Sequence, residues 1–354
     1  MNDGPLLEAD IQVRFSRLSL DLTLEVDAGH VLGLVGPNGS GKTTVLRVLS
    51  GLQPLAGGRV VLDGEVLEEP ARRIRLPPER RRVGLMFQDY LLFPHLTTLE
   101  NVAFGLRARG MQRREARQRA AAMLEALGLP DLGSARPGSL SGGQQQRVAM
   151  ARTLVHDPHL ILLDEPLAAL DVSTKMEVRR HLRRALRGQG VGAVLVTHDL
   201  VDAVAMADQL VVLQSGSVVQ RGTPAQVTEQ PRSTYVADLV GVTLLRGTVR
   251  HGVATVEGGG ELTMHTDLAG DVLLVVRPAS VSISREAPTE AGPNTWRGTI
   301  AAVDLMGDRV RVRVQGSPTV VAEVEPAAVD RLRLDDGGEA WVSADPAGIT
   351  AFPE

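Results

Sequence analysis

The chain has 354 residues, 43% of them hydrophobic and 23% charged, with a formal net charge of -4. That length accommodates two or three domains of about 150 residues each. Aromatic content of only 3% and the slight negative charge argue against a general nucleic-acid binder, which relies on stacking rings or a basic face.

There is no cysteine, which excludes disulfides and thiolate metal sites. The first residues, MNDGPLLEAD, lack the basic and apolar regions of a signal peptide. The longest apolar runs, in LILLDEP and DVLLVV, fall far short of the ~20 residues that cross a bilayer. The expectation is a soluble, cytoplasmic chain that reaches a membrane only through a partner.

In chain order, Leu18, Leu20, Leu22, Leu24 and Val26 alternate with polar residues, the period of a half-buried strand. HVLGLV at 30–35 is a short apolar run that ends on the glycine loop GPNGSGKTT at 36–44, and TVLRVLSGL then has helical spacing. An Arg- and Ala-rich stretch at 107–127 reads as one helix, and QQQRVAMARTLV as another. The strand LILLDEP at 160–166, a helix over 175–186 and the strand AVLVTHD at 193–199 follow. Alternating strands and helices predict an α/β domain over residues 1–240, with a mainly parallel sheet covered by helices. From about Val240 the composition shifts to short Val-rich segments separated by Gly and Pro, which predicts a small all-β barrel or sandwich over 241–354. EAPTEAGPN at 286–294 reads as a linker inside it. One glycine loop implies one nucleotide domain.

GPNGSGKTT satisfies GxxxxGK[ST] at every defined position, in the strand–loop–helix context the motif needs. Gly36, Pro37, Asn38, Gly39, Ser40, Gly41, Lys42, Thr43 and Thr44 form the loop. Backbone amides from Gly39 to Thr43 are placed to cradle the phosphates of a nucleotide, aided by the helix dipole. Lys42 reaches the outer phosphates and the Thr43 hydroxyl is a ligand for Mg2+. Among 38 Lys and Arg only Lys42 and Lys175 are lysine, so the loop keeps a compact ammonium against a strong arginine bias. Lys175 reads as an ordinary surface residue.

LILLDEP puts Asp164 at the carboxyl end of a buried strand, suited to hold Mg2+, and Glu165 beside it, suited to act as general base on water. Alone, such an Asp-Glu pair is more often a helix cap. Gln88 and His198 also end apolar runs; Gln88 is a candidate for Mg2+ or the water, and His198 for the outer phosphate. Singly, each would more often be a structural loop residue.

LSGGQ at 140–144 is a second glycine-serine turn leading into a helix, a hundred residues from the first. With it, the motif set resembles that of the ATPase subunits of ABC transporters over about residues 11–238: Walker A (36–44), Gln88, the signature LSGGQ (140–144), Walker B (160–164) with Glu165, the D-loop LAALD (167–171) ending at Asp171, and His198. The resemblance implies a homodimer docked head to tail. In it, Ser141, Gly142, Gly143 and Gln144 grip the ATP held by the partner's Walker A loop, and the resemblance counts Asp171 among the nucleotide-binding residues.

DYLLFPHLTTLENV resembles the segment that importer ATPases set against a membrane subunit, although Tyr90, Leu91, Leu92 and Phe93 could instead be core. The last hundred residues resemble the OB-like regulatory TOBE barrel of importer ATPases. The resemblance thus implies integral permease subunits, a substrate-binding protein behind them, no nucleic acid, and a place on the inner face of the membrane. The spacing of GEVLEEPARRIRLPPERRRVGLMFQD is most like the molybdate importer ATPases, with iron, sulfate and polyamine importers sharing nearly all motifs. The region before the glycine loop has no clear tyrosine for adenine; Phe15 is the ring available. A soluble ABC ATPase acting on ribosomes or DNA is the competing class, supported only by the basic stretches at 72–82 and 107–119. In the barrel, Glu325 and Asp345 fall where molybdate-type barrels place a hydroxyl and a lysine, so a dianion is not expected there.

Overall fold

Two antiparallel ladders begin the chain in the computed structural model, which describes residues 4–15, 18–167, 175, 176, 179, 190–288 and 292–354. The chain divides into two compact units, Met1–Ala225 and Gln226–Glu354, a boundary ahead of the composition change near Val240.

In the first unit, β1 (Leu7–Arg14), β2 (Ser19–Val26), β4 (Gly57–Leu62), β5 (Glu65–Glu69) and β6 (Ile74–Arg75) form an antiparallel sheet in the order β2-β1-β4-β5-β6. The alternation read at 18–26 is real: every second residue of β2 is buried. The sheet built on it was not anticipated. A second sheet has the order β11-β10-β3-β9-β8-β7, from β3 (Val31–Val35), β7 (Val83–Met86), β8 (Leu160–Asp164), β9 (Gly192–Val196), β10 (Gln209–Gln214) and β11 (Ser217–Gly222). Its pairs are parallel except β10–β11. β3 and β9 are buried along their whole length, as strands covered on both faces must be.

Helix α1 (Lys42–Leu49) seats Val45, Leu46, Val48 and Leu49 in one core with residues of both sheets, including Leu7, Ile11, Leu162 and Val194. The stretch expected as one helix over 107–127 is instead the end of α2 (Thr98–Ala108) and the whole of α3 (Arg113–Ala126). The chain breaks at Gly110, whose φ of 91° lies in the left-handed region that glycine tolerates. α4 (Gly142–Leu154) and α5 (Leu200–Met206) are further helices of this unit. Most of the helix expected at 175–186, and Asp171, lie outside the described residues.

The second unit holds two five-stranded sheets. One, in the order β14-β13-β12-β15-β21, uses β12 (Thr243–Arg250), β13 (Val253–Val256), β14 (Glu261–Thr263), β15 (Gly270–Val276) and β21 (Ile349–Pro353). The other, in the order β16-β20-β17-β18-β19, uses β16 (Val281–Ser284), β17 (Thr295–Met306), β18 (Arg309–Gln315), β19 (Val320–Val324) and β20 (Glu339–Ala344). Inward residues of both sheets, among them Val249, Leu274, Val312 and Val342, share one apolar core. Glu325 stands exposed beside Arg309, and Asp345 accepts a hydrogen bond from the Ala347 amide at 2.9 Å.

Candidate functional site

Parallel pairing decides where the chemistry gathers. β7, β8, β9 and β3 are neighbours running the same way, so all four release their chains at one edge of the sheet. Gln88 follows β7, Asp164 ends β8, His198 follows β9 and the glycine loop follows β3. Ligands of open α/β sheets bind at this carboxyl edge.

The loop is shaped for a ligand that makes its contacts through the backbone. Gly41, at φ 108°, precedes α1 with no side-chain cap, and a Cβ there would strike the Leu20 side chain. The first amides of α1 therefore lack a side-chain acceptor, the condition for anion binding. Lys42 is buried, and its ammonium donates to the carbonyls of Gly36 at 2.8 Å and Pro37 at 2.9 Å. Burial lowers its pKa, against the opposing pull of Glu165 and Asp164. Ser40 is buried, with no hydrogen-bond partner for its hydroxyl among the described residues, while Asn38 and Gly39 are exposed.

Asp164 is pushed up in pKa by burial and by the adjacent Glu165, while Lys42, Arg47 and a hydrogen bond from Thr43 pull the other way. That Thr43 contact puts a hydroxyl and a carboxylate side by side. Among the described residues no cluster of three acidic or histidine ligands exists, so a divalent cation here would take its remaining ligands from water and phosphate. Such a donor set suits Mg2+.

Glu165 sits at φ 48°, a left-handed conformation that costs a non-glycine residue about 1–2 kcal/mol. Its amide still donates to Val196 O at 2.9 Å, carrying the β8–β9 ladder one residue further while its side chain turns aside. Gln88 donates to its Oε2 at 3.4 Å, and His198 Nδ1 lies 3.1 Å from its Oε1. Three residues spread over more than a hundred positions thus meet at one carboxylate.

Ser141, Gly142, Gly143 and Gln144 begin α4. Ser141 accepts from the Gln144 amide at 3.3 Å and the Gln144 side chain accepts from the Ser141 amide at 2.9 Å, a capping box. Among the described residues no hydrogen bond joins these four to the phosphate loop. Within one chain, then, the two glycine motifs are separate.

Several residues escaped the sequence reading. The buried Gln146 of α4 donates to Pro166 O, next to Glu165. Arg152, also on α4, donates to Tyr90 O at 2.5 Å and Leu91 O at 2.7 Å. Asn101, wholly buried, accepts from Phe93 N at 2.8 Å and donates to Phe93 O at 3.1 Å. A polar residue at an inward helical position was the available signal in each case. Lys175 is not an ordinary surface residue: it pairs with Asp199 at 3.2 Å, next to His198. The apolar run 90–93 divides, with Tyr90 in the core and Leu91 55% exposed. Phe15 is 45% exposed just past β1. Among the described residues no helix is long and apolar enough to cross a membrane.

Residues 20–168 match the family described as ABC transporter, and residues 290–351 match the TOBE domain. An Fe(3+) ions import ATP-binding protein of Rhizobium meliloti (strain 1021) is 38% identical over 318 residues, covering 87% of this chain and 86% of the relative. A molybdenum import ATP-binding protein of Mycobacterium tuberculosis is 36% identical over 347 residues, covering 94% of each. Among solved structures, a dimeric post-hydrolysis state of an ATP-binding cassette bound to ADP and Pi is similar at 30% identity and TM-score 0.53. That similarity covers 62% of this chain and 98% of the other.

Proposed function

The chain belongs to the ATP-binding subunits of ABC importers and is an ATPase with a C-terminal TOBE domain, and from that premise we propose that Glu165 is the general base of a composite site shared by two copies. The convergence of Gln88 and His198 on the Glu165 carboxylate carries this reading.

The roles follow from what each group faces. Glu165 takes the proton of a water attacking the outer phosphate, so that ATP and water become ADP and phosphate. Gln88 and His198 hold the carboxylate in line for that transfer. Lys42, whose ammonium rests on Gly36 O and Pro37 O, exchanges those carbonyls for phosphate oxygens. Thr43 and Asp164 would hold Mg2+, with Gln88 as the third candidate. The cation supplies neutralising charge to the phosphates when bound. His198 also serves as a donor to the outer phosphate.

The second glycine motif serves the other copy. Two chains docked head to tail bring Ser141, Gly142, Gly143 and Gln144 of each to the nucleotide on the partner's Walker A loop. The dimeric state of the structurally similar cassette supports this arrangement. The chain works on the inner face of the membrane, bound to integral permease subunits that receive cargo from a binding protein.

For the cargo we carry molybdate or a similar oxyanion, supported by the alignment with the molybdenum relative through 94% of both chains. Iron(III) is the second reading, favoured by the higher identity of the iron relative, 38%. The deciding experiment reconstitutes the transporter in vesicles and measures ATP hydrolysis with each loaded binding protein. Stimulation by molybdate, absent with iron and abolished by Glu165→Gln, is expected; stimulation by iron alone overturns the cargo reading.

A further inference from the structure

The segment 90–97 has an unusual backbone for its composition. Tyr90 and Leu91 both lie in the left-handed region, at φ 57° and 43°, and neither is glycine. Bulky residues avoid that region because Cβ crowds the following carbonyl. Two such residues in succession persist only where their surroundings hold them.

The holding group is on the signature helix. Arg152 sends one arm of its guanidinium to Tyr90 O at 2.5 Å and another to Leu91 O at 2.7 Å. A rigid fork of donors spans two successive carbonyls in a way a single ammonium cannot. The same guanidinium lies 5.7 Å from the centroid of the Phe93 ring. Among the described residues no carboxylate pairs with it, so its contacts are committed to this segment. Downstream, Asn101 of α2 fixes the far half, donating to Leu96 O at 3.3 Å and Thr97 O at 3.1 Å besides its two bonds to Phe93.

The segment therefore has two tethers toward nucleotide chemistry. One is the 3.4 Å contact of Gln88 with Glu165, which reports on the chain's own site. The other is the Arg152 fork on α4, whose first turn begins at Ser141. An unbroken helix transmits displacement along its axis, and eleven residues at ~1.5 Å each separate the two ends of this lever. The fork is the shorter and better directed of the tethers. What it aims is a surface: Leu91 is exposed, and Phe93 packs at 4.6 Å on Phe104, itself exposed.

We propose that Arg152 is a positioning residue through which the signature helix sets the conformation of 90–97, so that this surface answers to the nucleotide held at the partner's Walker A loop as well as to its own. The proposal rests on the head-to-tail reading above.

The test uses the full chain carrying Glu165→Gln, which is expected to accumulate as a dimer with Mg-ATP on gel filtration. Hydrogen exchange of the amides in 90–97 is then measured with and without ATP. In this parent, dimerisation is expected to slow exchange about tenfold. Adding Arg152→Ala is expected to leave the dimer intact and cut that response to less than about twofold, while Arg152→Lys, which keeps the charge without the fork, falls between. With Glu165 restored, Arg152→Ala is expected to hydrolyse ATP within about twofold of the unmodified chain. A segment in the Arg152→Ala dimer that responds as the parent does overturns the proposal. So does loss of the dimer in both variants, which would assign Arg152 to the interface itself. A parent that stays monomeric with ATP refutes the head-to-tail reading first, before any Arg152 variant is made, and the proposal falls with it.

Discussion

Helices α1 and α4 both start on a glycine turn, and they treat that start in opposite ways. α1 leaves its first amides without a side-chain cap, with a buried lysine folded over the loop, as in a site that completes itself on a phosphate. α4 closes its start with a capping box between Ser141 and Gln144, and is a finished helix in the isolated chain. Their far ends differ as well. The C-terminus of α1 is capped from inside by Arg81, fully buried, which donates to Val48 O at 2.8 Å and pairs with Glu68 at 2.6 Å. α4 instead reaches out through Arg152 and ends beside the partly buried His156. The lesson is that one helix is bolted into the core at its far end, while the other spends its last turns gripping the backbone of a neighbouring segment.

The sharpest break of this comparison mixes two damaged chains. Lys42→Ala spoils the start of α1 and Ser141→Arg fills the start of α4; each alone is expected to lose about 100-fold or more in ATP hydrolysis. In a mixed dimer one site carries both defects and the other carries neither. Recovery to roughly a quarter of the unmodified rate is expected, since half the dimers then hold one working site. No recovery with mixed dimers demonstrated would mean the two glycine motifs do not meet across the interface.

Next in size is the bolt on α1. Arg81→Leu leaves the buried Glu68 carboxylate only the Leu55 amide at 2.9 Å and the more distant Arg75 at 3.9 Å, and is expected to cost about 3–5 kcal/mol in denaturant unfolding of the first unit. Replacing both partners by leucine is expected to recover most of that loss. A double variant as unstable as the single would show that the bonds to the α1 carbonyls, and not the ion pair, hold the helix.

The smallest effect lies at the end of α4. The His156 pKa is lowered to about 4, first by burial and then by Arg109 and Arg119, with Asp157 opposing. Because the folded pKa lies below the ordinary 6.5, the unfolded chain binds the proton first as pH falls. Stability is therefore unaffected above pH 6.5 and lost progressively from there down to about 4. The loss is expected to be about 1–2 kcal/mol, less than the full shift implies because the ring is partly exposed. His156→Gln should flatten this window in thermal melts; an unchanged pH profile would remove His156 as its source.

The motifs of the candidate site were legible because each rests on local chemistry. A turn that admits only glycine, a lysine kept against an arginine bias, and acidic residues at the end of an apolar run are all written in consecutive residues. Even Gln88 and His198 could be placed, since both follow strands and parallel strands end together. The reading lost its grip where a helix face mattered. Arg152 and Asn101 lie in sequence stretches that periodicity describes as ordinary helix, and their partners are backbone carbonyls of another segment, which leave no trace in composition.

The sequence by itself therefore determined the α/β class of the first part and the all-β class of the second, the glycine loop and the acidic strand end, because burial periodicity and backbone conformation are properties of short stretches. Only the tertiary structure decided that Gln88 and His198 meet at Glu165, that an antiparallel sheet stands beside the parallel one, that the stretch at 107–127 breaks at Gly110, and that the signature helix grips 90–97. Each of these depends on which strands are neighbours and in what register, or on which polar group a buried carbonyl must find. That pairing satisfies hydrogen bonds between residues far apart in the chain, such as Val31 and Asp208, and no local pattern specifies it.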